Sequence, residues 1–131
     1  MWANLYTPAM QATLAAPAAP TQNALDVPPA TWSDEAARAS VLMLYQGRRK
    51  TWLHQALGIS RVYLYRIMLQ PGEPQHSATP AGFWWRVADL LGVPQHYITR
   101  GLPPDSPVVA WATQGLPADQ AAALRARLVK A

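Results

Sequence analysis

The sequence predicts an all-α protein: a compact five-helix domain built around a helix-turn-helix, with an extended N-terminal arm and an extra C-terminal helix. Three observations predict it. Lys50 to Leu69, KTWLHQALGISRVYLYRIML, reads as two short helices broken by a tight turn at Gly58-Ile59-Ser60. Leu53, Ala56 and Leu57 share one face of the first, and Leu64, Ile67 and Met68 share one face of the second. Apolar residues also recur at helical spacing on both sides of this unit, while prolines at 8, 17, 20, 28 and 29 forbid a long helix before it.

In order, residues 1–31 are Ala/Pro-rich and nearly uncharged, and read as a flexible arm. Trp2, Leu5 and Tyr6 are costly to leave wet, which leaves open an arm that packs on a partner subunit. Residues 32–101 are the expected helix-turn-helix domain. Its first helix starts at Ser33 as N-cap, with Asp34 and Glu35 at the positive end of the dipole. Ala37, Val41, Leu44 and Tyr45 form its expected buried stripe, with Leu42 beside it. Gly47 ends or loosens it, and Arg48, Arg49 and Lys50 crowd its C-terminal end, where cations are favoured. Thr51 is the expected cap of the second helix.

Gly58 can take the positive φ that ends a helix, and Ser60 can cap the third helix, which Pro71 and Gly72 stop. Residues 70–78 are a loop, either mobile or reaching outward through His76 and Ser77. Thr79 and Pro80 are expected to open the fourth helix as N-cap and N1. Trp84, Val87, Ala88, Leu90 and Leu91 form its apolar face, Trp85 is expected outside, and Gly92 closes it. Pro94 opens a short fifth helix carrying Tyr97 and Ile98, closed by Gly101. Residues 102–131 read as a linker, an apolar run at 108–112 of strand length, and a last helix from Pro117 to about Lys130. That helix carries a narrow stripe of Ala121, Leu124 and Leu128. Folding back on the core and dimer contact are both open for it.

Charged residues are 14% of the 131-residue chain, below the roughly 25% usual for soluble domains, so a partner subunit can cover part of the surface. The net charge is +4, and eight of the eleven basic residues lie between 31 and 100 against four of the seven acids. A positive field centred on the two-helix unit suits a polyanion. With no cysteine, disulfides and thiolate metal sites are excluded. His54, His76 and His96 fall in different elements without zinc-site spacing, so no metal and no cofactor is expected. No nucleophile elbow, P-loop or dinucleotide fingerprint appears, and an enzyme is not expected. No apolar run is long enough for a membrane span, the first residues lack a signal peptide's basic region, and the expected location is the cytoplasm.

In the second helix of the unit, Arg61, Val62, Tyr65 and Arg66 fall opposite the buried face. A major groove admits one α-helix; arginine can pair with guanine O6 and N7, valine can pack on a thymine methyl, and tyrosine can donate to a phosphate. Phosphate contact is a reading of the basic triplet too, Arg49 and Lys50 included. Ser60, Thr51 and the free N–H groups at both helix starts suit phosphates.

Lys50 to Gly101 resembles the Cro/C1-type (XRE-like) phage-repressor helix-turn-helix family. The residues that carry the resemblance are Leu53, Leu57, Gly58, Ile59, Ser60, Tyr63-Leu64 and Arg66-Ile67. A second block, Val87 to Pro94 followed by Tyr97-Ile98 and Gly101, lies at the family's separation. The resemblance implies a lambda-repressor-like five-helix domain that binds duplex DNA, usually as a dimer. It implies groove-facing roles for Ser60, Arg61, Val62, Tyr65 and Arg66, and a backbone grip by Lys50 and Thr51. The sequence departs from the family at His54, where a small residue is usual, and at Met68-Leu69-Gln70, which lets the helix run on or bury its end against something extra.

The expected function is therefore a sequence-specific double-stranded DNA-binding regulator, a repressor of a phage, plasmid or other mobile-element operon. It is expected to bind an inverted repeat as a homodimer. The expected base readers are Arg61, Val62, Tyr65 and Arg66. The expected backbone contacts are Arg49, Lys50, Thr51, Ser60, His76 and Ser77. Two alternatives stand beside it: a protein-interaction adaptor that keeps the fold without reading DNA, and an antitoxin-type autoregulator. Either would take a protein partner through the N-terminal arm or the last helix.

Overall fold

One helix, α1 (Asp34–Tyr45), carries the core, because nearly every side of it is apolar or small. Ala36, Ala37, Ala39, Val41, Leu42, Met43 and Tyr45 are all buried, and only Leu44 of the expected stripe is half-exposed. Alanines at 36, 37 and 39 let neighbours approach closely from several directions, where a single amphipathic stripe would admit one. The structure is a computed structural model and describes residues 27–49 and 51–130. Trp2, Leu5 and Tyr6, the arm residues read as partner contacts, and Lys50 lie outside the described residues.

Around α1 lie α2 (Trp52–Leu57), α3 (Arg61–Met68), α4 (Phe83–Leu91), α5 (Gln95–Thr99), α6 (Pro107–Thr113) and α7 (Ala118–Leu128). The protein is all-α, with only two isolated bridges and no strand among the described residues. Helices α4, α5, α6 and α7 pack directly on α1, and α4–α5 and α6–α7 form two paired units. The described residues contain no helix long and apolar enough to cross a membrane.

Several local expectations are met by identifiable bonds. Ser33 caps α1, its hydroxyl accepting from Ala36 N–H at 3.2 Å. Gly58 ends α2 in the left-handed region at φ 70°, and Ser60 caps α3 by accepting from Tyr63 N–H at 3.0 Å. Other expectations are corrected. The basic triplet is not in the last turn of α1: the helix stops at Tyr45, Gly47 turns the chain at φ 75°, and Arg48 and Arg49 lie in the connection to α2. Thr51 has helical backbone angles and makes no cap bond, since a side-chain cap needs the extended conformation it lacks. The fourth helix starts at Phe83, not Pro80. Pro80 instead opens a turn closed by Phe83 N–H to Pro80 O, Thr79 lies before that turn, and Gly82, at φ 73°, occupies the N-cap.

The apolar run at 108–112 is helix α6. Ser106 accepts from Val108 N–H at 3.2 Å and Pro107 supplies a preset first turn, two signals that outweigh the β-branched pair Val108-Val109. The expected linker at 102–107 holds Leu102, which is fully buried and pairs with the end of α7. Leu102 N–H donates to Leu128 O at 2.7 Å and Lys130 N–H to Leu102 O at 2.9 Å. Of the two readings open for the last helix, α7 takes the intramolecular one, with Leu124 and Leu128 buried against α1 and α6 and Ala121 half-buried.

α3 does not run on past Met68. Leu69 is extended and bridges Trp32, Ser33 N–H donates to Met68 O, and Gln70 N–H donates to Thr31 O. Something extra does cover this end, and it is the strap at residues 27–32. Arg127 of α7 holds that strap through the carbonyls of Pro28, Pro29 and Trp32 at 2.9–3.1 Å. Residues 27–31 are therefore a fixed part of the fold, not the free arm expected of them.

Tyr45 sits edge-on to Trp111, with centroids 5.3 Å apart, and joins α1 to α6. Burial pushes its phenol above the ordinary tyrosine range. A folded-state pKa above the unfolded one means that unfolded chains ionise first as pH rises. Stability should therefore fall above about pH 10. Tyr45→Phe keeps the ring contact and should flatten that alkaline decline in a series of melting curves; an unchanged slope would show that Tyr45 does not contribute to it.

Candidate nucleic-acid interface

α3 is anchored by three apolar side chains and presents the rest. Leu64, Ile67 and Met68 are buried, while Ser60, Arg61, Val62 and Arg66 are exposed, Val62 at 62%. At 100° per residue, Val62 and Arg66 lie opposite the buried face and form the centre of the outward one. Tyr65 does not join them fully. It is half-buried at the margin, with Trp32 of the strap 6.3 Å away on one side and the Arg61 guanidinium 5.5 Å from its ring. Tyr63, on the other margin, is 38% exposed and is not among the outward-facing residues expected from the sequence. The position was legible, since it flanks the buried face as Tyr65 does.

The charges on and beside this face are not tied up in ion pairs. Arg49, Arg61 and Arg66 form no salt bridge among the described residues, whereas Arg127 lies 3.6 Å from Asp34. Arg48 is engaged differently: its guanidinium lies 4.0 Å from the Trp52 ring centroid and its Nε donates to Gln46 at 3.0 Å. Stacking leaves the cation's charge intact while fixing its place, so Arg48 is a preordered cation beside α2. Arg86, also exposed, reaches the Leu57 carbonyl at 3.5 Å, which sets the amino end of α4 against the turn after α2.

The backbone-contact candidates divide into separate groups. Ser60 accepts from Tyr63 N–H, and its own O–H proton is left to donate. Thr51 and Arg49 are exposed in the connection before and at the start of α2. His76 and Ser77 are half-buried, and Ser77 N–H donates to the Arg66 carbonyl at 3.0 Å, so the loop end is tied to α3. His76 Nδ1 is buried without a hydrogen-bond partner. His54 turns its ring to the Ile59 carbonyl, Nδ1 at 3.1 Å, which places the imidazole across the α2–α3 turn. Among the described residues, no three His, Asp or Glu side chains are grouped to hold a metal.

Comparison of the chain with protein-family models, with curated proteins and with solved structures gives no match.

Proposed function

We propose that the protein is a sequence-specific double-stranded DNA-binding regulator of transcription, with α3 as its reading helix. The observation that carries this is the outward face of α3: Arg61, Val62 and Arg66 stand exposed on a helix whose opposite face is core, and neither arginine has a salt bridge among the described residues. The left-handed Gly58 and the Ser60 cap give the two-helix unit a defined turn, which supports reading α1–α5 as a lambda-repressor-like arrangement. In that reading α6 and α7 are a C-terminal addition covering α1. The protein acts in the cytoplasm as a repressor of a phage, plasmid or other mobile-element operon, and a homodimer engages an inverted repeat with half-sites one helical turn apart.

Arg61 and Arg66 read base edges, Val62 packs against a thymine methyl, and Arg48, Arg49 and Ser60 hold phosphates. Mobility shift on DNA upstream of the gene tests this. Arg61→Ala and Arg66→Ala should each cost roughly 1–3 kcal/mol and blur base preference at one position, while Arg49→Ala should weaken all sequences alike. Wild-type binding by both of the first two variants would remove α3 from the groove.

A second reading, an adaptor that binds protein, is favoured by one observation: Trp85 on α4 is 57% exposed. Salt separates the two. DNA binding through several phosphates falls steeply between low and moderate salt; an adaptor has no such affinity to lose.

A further inference from the structure

Behind the outward face of α3 lies a cavity of about 210 Å³. Its walls come from Trp32 of the strap, Ser40 and Met43 of α1, Leu53 of α2, and Tyr65 and Met68 of α3. Close-packed interiors seldom leave a space this large. We propose that the cavity binds a neutral aromatic molecule of one or two fused rings, oriented by a hydrogen bond to the Ser40 hydroxyl.

Four features define that ligand. The size is the first: an apolar cavity of about 150 Å³ accommodates a benzene ring, and this one is larger. The wall chemistry is the second. No charged side chain among the described residues lines the space, so an ion would lose its hydration without compensation from them. The tilted rings of Trp32 and Tyr65 and the thioethers of Met43 and Met68 make favourable contacts with aromatic edges and faces. The third is Ser40. It interrupts the apolar run of α1 and its hydroxyl makes no hydrogen bond among the described residues, so a hydroxyl is available to fix a ligand's orientation.

The fourth is that the strap wall is built in advance. Pro28 and Pro29 line the cavity and stiffen the strap, Arg127 bonds three strap carbonyls, and Gln70 Nε2 donates to the carbonyls of Ala30 and Trp32 at 2.7 and 3.2 Å. A preformed wall saves part of the ordering cost of binding. Tyr65 belongs both to the wall and to the margin of the outward face of α3, so an occupant touches the reading helix from behind.

Calorimetric titration of the full chain with indole, without DNA, tests the proposal independently of the operator reading. Saturable one-to-one binding is expected, with indole-3-acetate weaker by on the order of tenfold or more because its carboxylate must be desolvated. Ser40→Leu, which fills the space, should abolish binding while the melting transition persists. Ser40→Ala, which removes only the hydroxyl, should weaken binding by about fivefold and serves if the leucine variant does not fold. Absence of saturable indole binding, equal affinity for the carboxylate, or undiminished binding in the folded Ser40 variants overturns the proposal.

Discussion

Gly101→Ala should lower the melting temperature by about 15 °C, for a loss of about 3–5 kcal/mol. Gly101 has φ 136°, outside the range that an alanine occupies without strain. The new Cβ would also stand 2.5 Å from Lys130 N and 2.6 Å from Lys130 Cα. These are backbone atoms, and no side-chain rotation relieves the overlap. The chain after α7 must move away, and with it go the paired bonds between Leu102 and the Leu128–Lys130 segment. Leu102 and Leu128 are both fully buried, so the movement opens the core between α5 and α7. Thermal melting of the variant is the check. A shift of only a degree or two would mean that the end of α7 is free to relax. Gly115→Ala is the control, because its φ is also positive but no atom lies within 4 Å of its Cβ position.

What the sequence made legible follows from the range of the forces involved. Local signals were legible: Ser33 and Ser60 as caps, Gly47, Gly58 and Gly92 as helix ends, and the split of α3 into buried Leu64, Ile67 and Met68 against exposed Arg61, Val62 and Arg66. What escaped depends on partners distant in the chain. Tyr65 was assigned wholly outward because nothing near it in sequence announces Trp32, 33 residues earlier, as its cover. Residues 27–31 looked free because their anchor is Arg127, nearly a hundred residues on. The reach of the strap over α3 also explains the apolar Met68-Leu69 end, which local reading could register as unusual but not resolve. Thr51 and Thr79 failed as caps for a different reason: residue type permits a cap, but the local backbone decides it, since Thr51 has helical angles and the helix after Thr79 starts only at Phe83, behind a turn that puts Gly82 at the N-cap.

Arg38→Met should cost about 2–4 kcal/mol although it replaces a buried charge by an apolar chain of similar length. Arg38 is 7% exposed, and burial lowers its pKa while Asp34 and Glu35 act the other way. An arginine nonetheless stays protonated at any pH the fold experiences, so the charge is permanent. Its partners are the Ile98 carbonyl in the last turn of α5 and the Arg127 carbonyl in the last turn of α7, both at 3.0 Å. Each belongs to the set of carbonyls that a helix end leaves unpaired. Continuation of α5 would have paired Ile98 O with Leu102 N–H, but that donor bonds Leu128 O instead. One guanidinium thus satisfies two helix ends and meets the negative end of both dipoles. Methionine recovers the desolvation cost of the charge but leaves both carbonyls without a donor, one of them deep in the core. The loss should therefore exceed the gain, and chemical denaturation at neutral pH measures it. Arg38→Lys should fall between the two, since an ammonium group keeps the charge but not the fork that spans both carbonyls. A methionine variant as stable as wild type would mean that water or backbone adjustment satisfies the two carbonyls. Such a result would leave Leu128 packing, not the guanidinium, as what holds α7 to α1.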